Sequence, residues 1–370
     1  MGGLKVSAMT WVAFALVACG GGGEEAHQAL ANVAEVAVGM NHACARLRTG
    51  QVSCWGDDYS GELGDGTKTN TTTPVAARDI SNATEVAANG LASLALLSDG
   101  TVRGWGMTVL DSSLHPVPIV TLVPTPVPTI SAATAISTGD QYHSCAVVSG
   151  GEVYCWGLGT LGQLGDGSMM DSLTPVRVTG ITDAVSVSAN GRASCVVHRD
   201  GRVSCWGSGI FYGIDGSVPM DADGLTDAVA VSVGDYHACA LRATGTVSCW
   251  GLNSEFSLGT GLAPGINSVV DVPGVSNVVS VSAGSFNMCA VVAEGSVWCW
   301  GDNQFGQLGG GEIGTSSPPI QVLGLPAAES VSTGGFTTCA VLRDHTVSCW
   351  GSTMFAPFAN STTPRPVLAY

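Results

Sequence analysis

Gly234-Asp235-Tyr236-His237-Ala238-Cys239-Ala240-Leu241-Arg242-Ala243-Thr244-Gly245-Thr246-Val247-Ser248-Cys249-Trp250-Gly251 is the stretch from which the architecture follows. Its two cysteines lie ten positions apart, and Trp-Gly follows the second. The same arrangement recurs at Cys44/Cys54, Cys145/Cys155, Cys195/Cys205, Cys289/Cys299 and Cys339/Cys349. One further copy keeps Trp105-Gly106 but carries Leu94 and Gly104 in place of the cysteines. Trp55, Trp105, Trp156, Trp206, Trp250, Trp300 and Trp350 are therefore one position repeated seven times. A period of about 50 residues marks a solenoid, an array or a propeller.

The cysteine spacing has a geometric cause. Positions 44 and 54 are symmetric about Thr49, in the middle of the turn Arg48-Thr49-Gly50. Symmetric positions of an antiparallel hairpin oppose each other with Cα atoms about 4.5–5.5 Å apart, a span that a disulfide bridges. The pairs Cys195/Cys205 and Cys289/Cys299 centre in the same way on Asp200-Gly201 and Glu294-Gly295. Both cysteines are lost together in the second copy, as a bond within each repeat requires. Zinc ligands come as closer-spaced pairs, so bridges are the preferred reading.

Each repeat reads as four strands. In the first, Val33 to Val38, His42 to Leu47, Gln51 to Trp55 and Pro74 to Ala77 are separated by Gly39, a tight turn and the loop Gly61-Glu62-Leu63-Gly64-Asp65-Gly66. Five residues before each first cysteine stands Gly39, Asn89, Asn190, Gly234, Gly284 or Gly334, which predicts a left-handed turn there. The third copy carries one extra residue between Gly139 and Cys145. First strands such as Val185 to Ser188 and Val279 to Ser282 are built of small residues, suited to crowding round an axis. Fourth strands open on Pro74, Pro175, Pro319 and Pro364, and proline belongs on a sheet edge. Small inner and proline-marked outer strands describe propeller blades, with one tryptophan per blade between the sheets.

Copies such as Gly234 to Leu241 followed by Val247 to Gly251, and Trp156-Gly157 followed by Gly162-Gln163-Leu164-Gly165-Asp166-Gly167, resemble the regulator of chromosome condensation repeat. The resemblance covers roughly 33–370 and implies an all-β fold, a seven-bladed β-propeller of four-stranded blades. Approximate blades are 33–80, 81–130, 131–180, 181–225, 226–275, 276–325 and 326–370. Hairpin cysteines are a departure that matches exported bacterial versions of the family. The second repeat replaces the Gly-Gln-Leu-Gly loop with a proline-rich segment, Pro116 to Pro128, and the fourth is shorter by about six residues. Guanine-nucleotide exchange by the eukaryotic founding member is not carried over, because fold sharing is weak evidence for function.

Residues 1–18 combine Lys5 with an apolar run, a secretory pattern too short to span a membrane. The run ends in Leu16-Val17-Ala18-Cys19, which resembles the lipobox of bacterial lipoproteins and implies that Cys19 carries the lipid. Residues 19–32, with Gly20 to Gly23 and Glu24-Glu25, then form a flexible tether to a propeller at 33–370. Thirteen cysteines resolve as one lipidated residue and six bridges in an oxidising compartment. The expected location is the cell envelope, lipid-anchored, and Gly20 after the cysteine favours the outer membrane or cell surface. Loss of Lys5 leaves 12 basic against 29 acidic residues, a formal charge near −17, and the scattered Lys and Arg exclude nucleic acid as a partner.

His42, His143 and His237 occupy one repeat position and are the candidates for a metal site. Asn287 and Thr337 fill that position elsewhere, so the preferred role is a hydrogen bond inside the blade, with no metal and no cofactor. The loops Asp57-Asp58 to Gly66 and Asp302 to Gly311 lack the acidic spacing of a calcium loop. No nucleophile elbow, phosphate loop or cofactor fingerprint is present. The expected function is therefore binding without catalysis, by a monomeric propeller whose loops engage an extracytoplasmic protein or glycan. Candidate contacts are His115 in the segment to Pro128, Phe211 and Tyr212, and Phe355 to Phe358. Secreted beta-lactamase-inhibitor propellers of the same repeat family make enzyme inhibition one version of such binding. A polysaccharide hydrolase or lyase is the alternative, and it needs paired carboxylates near the axis, where Glu35 and Glu85 are the evident ones. A purely structural envelope protein is the third reading.

Overall fold

The computed structural model describes residues 28–109, 119–140, 142–209, 216–314, 316–352 and 360–369. Seven four-stranded antiparallel sheets follow one another along the chain, each a simple meander in sequence order. Blade 1 comprises Val33–Val38, His42–Leu47, Val52–Gly56 and Thr71–Ala76. The inner strands of blades 2 to 7 are Ala83–Asn89, Ala133–Thr138, Ala184–Asn190, Ala228–Val233, Val278–Ala283 and Ala328–Thr333. Each inner strand contacts the next, and the last packs against the first, which closes a seven-bladed β-propeller.

Closure uses no shared blade. A short ladder of Gln28–Ala29 with Leu368–Ala369 joins the two ends of the described chain, and Leu30 is buried beside Val33 and Val367. Gln28 to Leu30, within the expected tether, thus pack on the propeller through a ladder and an apolar contact.

The core is a set of wedges between blades. Ala37, Val52, Leu63 and Ile80 of blade 1 meet Val86, Leu97 and Trp105 of blade 2, and equivalent clusters lie at the other six interfaces. Cys44, Cys145, Cys195, Cys239, Cys289 and Cys339 are bridged to Cys54, Cys155, Cys205, Cys249, Cys299 and Cys349, with Cα atoms 4.0–4.1 Å apart. Each bridge packs on the next blade's tryptophan, as Cys44–Cys54 does on Trp105. In blade 2, Leu94 takes the place of the sulfurs and packs with Trp156, opposite Gly104. Six bridges within the blades fit an oxidising compartment.

Small residues on the inner strands have a second use. Hydroxyls of Ser137, Ser188, Ser232, Ser282 and Ser332 accept the N–H of Ala189, Val233, Ala283, Thr333 and Val38 in the following blade, at 2.9–3.1 Å. Blades 1 and 2 have Ala37 and Ala87 at that position, and Glu35 and Glu85 accept the N–H of Val86 and Ile136 instead.

Two local expectations are corrected. Fourth strands begin three residues before the proline, as in Thr71–Ala76. Cys54 pairs with Val75 and Gly56 with Thr71, so residues 72–74 bulge from the ladder and Pro74 needs no N–H there. The residue five before the first cysteine is not left-handed in any blade. Glycine is needed there for space, since a Cβ on Gly234 would lie 2.6 Å from the carbonyl oxygen of Gly284 in the next blade. In the two asparagine blades the left-handed residue is the following one, Gly90 or Gly191, each at φ 48°.

Candidate functional rim

Chain direction puts the turn between first and second strands on the same end of each blade as the connection after the third strand. At that end a single residue per blade, immediately before the second strand, is fixed identically. The carbonyls of Asn41, Leu91, Tyr142, Arg192, Tyr236, Phe286 and Phe336 accept the N–H of Asp57, Met107, Leu158, Ser208, Leu252, Asp302 and Ser352, at 2.7–3.1 Å. The glycine of each Trp-Gly makes this approach possible. All seven have φ between 82° and 114°, and in blades 2 to 7 a Cβ would strike the rim carbonyl. Backbone is thus held constant while side chains differ, and all seven are half-buried.

Blades 3 to 7 present Tyr142, Arg192, Tyr236, Phe286 and Phe336, the aromatic and arginine types that dominate interface energetics. Arg192, Tyr236 and Phe286 are in contact across blades 4 to 6. The Arg192 guanidinium lies 5.7 Å from the Tyr236 ring centre, Tyr236 stacks on Phe286 at 6.0 Å, and Phe336 meets Phe305 at 4.6 Å. Beside these rings, Asp235 of blade 5 lies near Asp140 of blade 3. Burial and the charge of Asp140 hold the Asp235 carboxyl up to about 8, against a weaker pull from Arg192.

The Gly-x-Leu-Gly loops have a structural task that explains their pattern. The Trp105, Trp206, Trp300 and Trp350 indoles donate to the carbonyls of Glu62, Gln163, Ser257 and Gln307 in the preceding blade's loop, at 2.7–3.0 Å. Blades 2, 4 and 7 lack that loop, and their connections fall in 110–118, 210–215 and 353–359. His115, Phe211, Tyr212, Phe355 and Phe358 all lie there, outside the described residues, as does Cys19. The strands flanking these connections end at the rim. The sequence reading passed over the rim position because it sits within the repeated motif. Its variation beside the repeated cysteine and Trp-Gly positions is the signal that marks it.

The three histidines are not brought together. His42 and His143 place Nε2 2.8 and 2.9 Å from the hydroxyls of Ser93 and Ser194 in the next blade, and burial lowers both, and His237, to about 4. The hydrogen bonds of His42 and His143 therefore cross to the neighbouring blade and do not stay within their own. Among the described residues no group of three or more His, Cys, Asp or Glu is arranged for a metal ion. In the first acidic loop, Asp58 is occupied by the N–H groups of Leu63 and Thr69, each at 3.0 Å.

At the other end of blade 4 a cavity of about 420 Å³ is lined by Asp183, His198, Ser204 and Asp221. Asp183 lies 2.6 Å from His198 Nδ1, and His198 Nε2 lies 2.7 Å from Ser204 Oγ, the spacing of a hydrolase triad. The serine hydroxyl, however, donates to Asp221 at 2.5 Å, whereas a nucleophile must donate to the histidine. Blade 5 repeats the arrangement with Arg242 in the histidine's place, ion-paired to Asp227, and Ser248 donating to Asp271 at 2.6 Å. The pattern is a repeated polar ladder. Glu35 and Glu85 also have structural partners: Glu35 pairs with Arg46 at 3.0 Å, and each receives a backbone N–H from the next blade.

Comparison with known proteins agrees with the architecture. The regulator of chromosome condensation (RCC1) repeat matches residues 33–62, 133–163, 228–256 and 278–307 in one form and 150–197 and 294–341 in another, together just over half of the chain. The chain belongs to the RCC1 repeat family. Fission yeast (Schizosaccharomyces pombe) Protein pim1 is 26% identical over 211 residues, covering 50% of this chain and 39% of its own length. The first curated relatives are each matched over less than half their length. Among solved structures, Prp20p from Saccharomyces cerevisiae, studied for its binding to Gsp1p and histones, superposes with a TM-score of 0.71 at 21% identity, covering 81% of this chain and 80% of its own. The ectodomain of the Physcomitrella patens receptor kinase CR4 gives 0.55 at 21% identity, covering 87% and 74%. These likenesses concern the fold. Among the described residues no helix is long and apolar enough to cross a membrane.

Proposed function

We propose that this RCC1-repeat protein is an exported, lipid-anchored binding propeller that engages an extracytoplasmic protein or glycan through its rim face, without catalysis. The observation that carries this reading is the rim: seven positions with identical backbone bonds and different side chains, five of them aromatic or arginine. A rigid frame with variable projecting groups is how scaffolds present binding surfaces. The connections bearing His115, Phe211, Tyr212, Phe355 and Phe358 leave from the same face. Six bridges support export, and the Leu16 to Cys19 lipobox supports attachment through Cys19, facing the periplasm or the exterior of the outer membrane.

The hydrolase alternative gains nothing from Asp140 and Asp235. They lie in blades 3 and 5 with no arrangement about a scissile bond, and Glu35 and Glu85 are engaged in structural bonds. Crosslinking of the anchored protein in its native envelope, read by mass spectrometry, tests the binding proposal. Crosslinks to one partner that vanish in a Phe286→Ser/Phe336→Ser variant are expected. Unchanged crosslinks in that variant overturn the rim as the contact face. Cys19→Ser is expected to move the protein from the detergent phase to the aqueous phase, and retention in detergent overturns the anchor.

A further inference from the structure

The cavity of about 420 Å³ in blade 4 has the size of small-molecule sites, which span roughly 300–1,000 Å³. Apart from Gly180, Ile181 and Pro219 its lining is polar, so a polar ligand suits it. The polar groups are held in place by one chain of bonds. Asp183 to His198, His198 to Ser204, Ser204 to Asp221 and Asp221 to Arg202 measure 2.6, 2.7, 2.5 and 2.9 Å. Asp200 fixes the other side of the guanidinium at 2.9 Å, and His198 and Ser204 are buried. Ser204 gives its hydrogen to Asp221, so His198 donates to Ser204 and, through its other nitrogen, to Asp183. In blade 5 a single side chain spans the equivalent carboxylates: Arg242 lies 2.8 Å from Asp227 and 3.7 Å from Asp271. His198 is shorter. It reaches Asp221 only through Ser204, and the cavity opens beside both carboxylates.

Unused bonding capacity borders the cavity. Asp183 Oδ2 and Arg202 Nη2 form no bond among the described residues, and Thr179 and Thr182 add exposed hydroxyls. Two acidic and two basic side chains balance there. An incoming cation would face Arg202 and His198, and an incoming anion would face Asp183 and Asp221. A neutral ligand with neighbouring hydroxyls meets both kinds: one hydroxyl donates to the Asp183 carboxylate while the next accepts from Arg202. We propose that this cavity binds a neutral sugar unit, at the end of the propeller opposite the rim and independently of the rim's partner. The triad-like chain of bonds then serves recognition, because it fixes a carboxylate and a guanidinium where a pair of hydroxyls can bridge them.

Saturation-transfer NMR of the whole chain with methyl α-D-glucoside, methyl α-D-galactoside and methyl β-N-acetylglucosaminide tests this, with agmatine and glucuronate as charged controls. At least one glycoside is expected to bind with a Kd of about 1–10 mM, ordinary for a ligand of that size, and to shift the His198 ring resonances. Both charged controls are expected to bind at least about fivefold more weakly. His198→Arg copies blade 5, and its guanidinium is expected to bridge Asp183 and Asp221, fill the cavity and lower glycoside affinity at least about tenfold. Arg202→Gln changes a side chain that is 41% exposed, so the fold is expected to survive. It is expected to weaken the glycoside about fivefold and to admit agmatine, since the group that repels the cation is gone. Melting temperatures check that each variant is folded. Absence of glycoside binding up to about 50 mM overturns the proposal, as does equal binding of agmatine by the parent. Parent-like glycoside binding in either folded variant overturns it too.

Discussion

His42 Nε2 lies 2.8 Å from the hydroxyl of Ser93 in the next blade, and that hydroxyl in turn donates to the Glu62 carbonyl at 3.0 Å. His143, Ser194 and Gln163 repeat the relay. In blade 5 the relay is broken: Met288 occupies the serine position of blade 6, and His237 Nε2 has no partner. Burial is tolerated in all three because each imidazole stays neutral, lowered to about 4.

The difference between intact and broken relays sets the first prediction. His42→Asn, which installs the residue that blade 6 uses as Asn287, is expected to cost about 1–2 kcal/mol more than His237→Asn, because only the former loses a hydrogen bond, the one to the Ser93 hydroxyl. Urea unfolding at pH 7.5 measures both. Depressed histidines contribute stability that is complete above pH 6.5 and lost as pH falls toward 4, since the unfolded chain takes up the proton first. Acid loss between those values is expected to shrink in each variant, and an unchanged pH profile would show that the imidazoles are not neutral.

Glu62 yields a second prediction from comparison between blades. Gln307 of blade 6 accepts the Phe305 N–H at 3.0 Å and donates through Nε2 to Asp302 at 2.9 Å. Glu62 reproduces the first bond, with Ser60 N–H at 2.8 Å, but its Oε1 is buried without a partner where the amide nitrogen would be. Burial, then Asp58 and Asp57, hold Glu62 up to about 7. A carboxyl raised in this way gives stability that is complete below about pH 4.5 and lost as pH rises through 7. Glu62→Gln restores the donor, and is expected to stabilise by about 1–3 kcal/mol at pH 8 and by much less at pH 5. Melting temperatures at the two pH values decide it, and an equal shift at both would remove titration as the cause.

Ring closure supplies the third. Ser332 accepts the Val38 N–H at 3.0 Å and carries the inner-strand hydroxyl clasp from blade 7 back to blade 1. Ser332→Ala leaves that N–H partly buried and unpaired, at an expected cost of about 1–2 kcal/mol. Hydrogen exchange is expected to quicken first at Val38 and along Gln28–Ala29, since the two ends of the described chain meet there and no shared blade backs them up. Exchange that quickens equally in all seven blades would mean that the interface is no weaker than the others.

Architecture was legible because each feature that encodes it repeats. Ten-residue cysteine spacing depends only on hairpin symmetry, and seven tryptophans occur at one position. What escaped was contact between repeats. Nothing in a single copy shows that Gly234 is glycine because the Gly284 carbonyl lies against it, so local backbone preference was invoked instead. Asp140 and Asp235 are 95 positions apart, in blades 3 and 5, and become neighbours only when the ring closes. The rim residues were hidden for a different reason. Tyr236 reads as part of a repeated motif until its carbonyl bond to Leu252 separates a fixed backbone from a free choice of side chain.

Leu94 and Gly104 provide a natural control for what a bridge does, because Leu94 packs on Trp156 as the disulfides pack on the other tryptophans. Replacing Cys239 and Cys249 by Leu and Gly copies blade 2, removing the cross-link while keeping apolar volume beside Trp300. Replacing both by Ala removes the cross-link and the volume. Closing a loop of about ten residues restricts the unfolded chain by about 2–3 kcal/mol. The Leu/Gly variant is expected to lose about that much, and the Ala/Ala variant about 1–2 kcal/mol more for the cavity left beside the indole. Urea unfolding under oxidising conditions measures both. Equal losses would show that the sulfurs contribute through the covalent link alone, and a Leu/Gly variant as stable as the parent would show the reverse, that the bridge acts as packing.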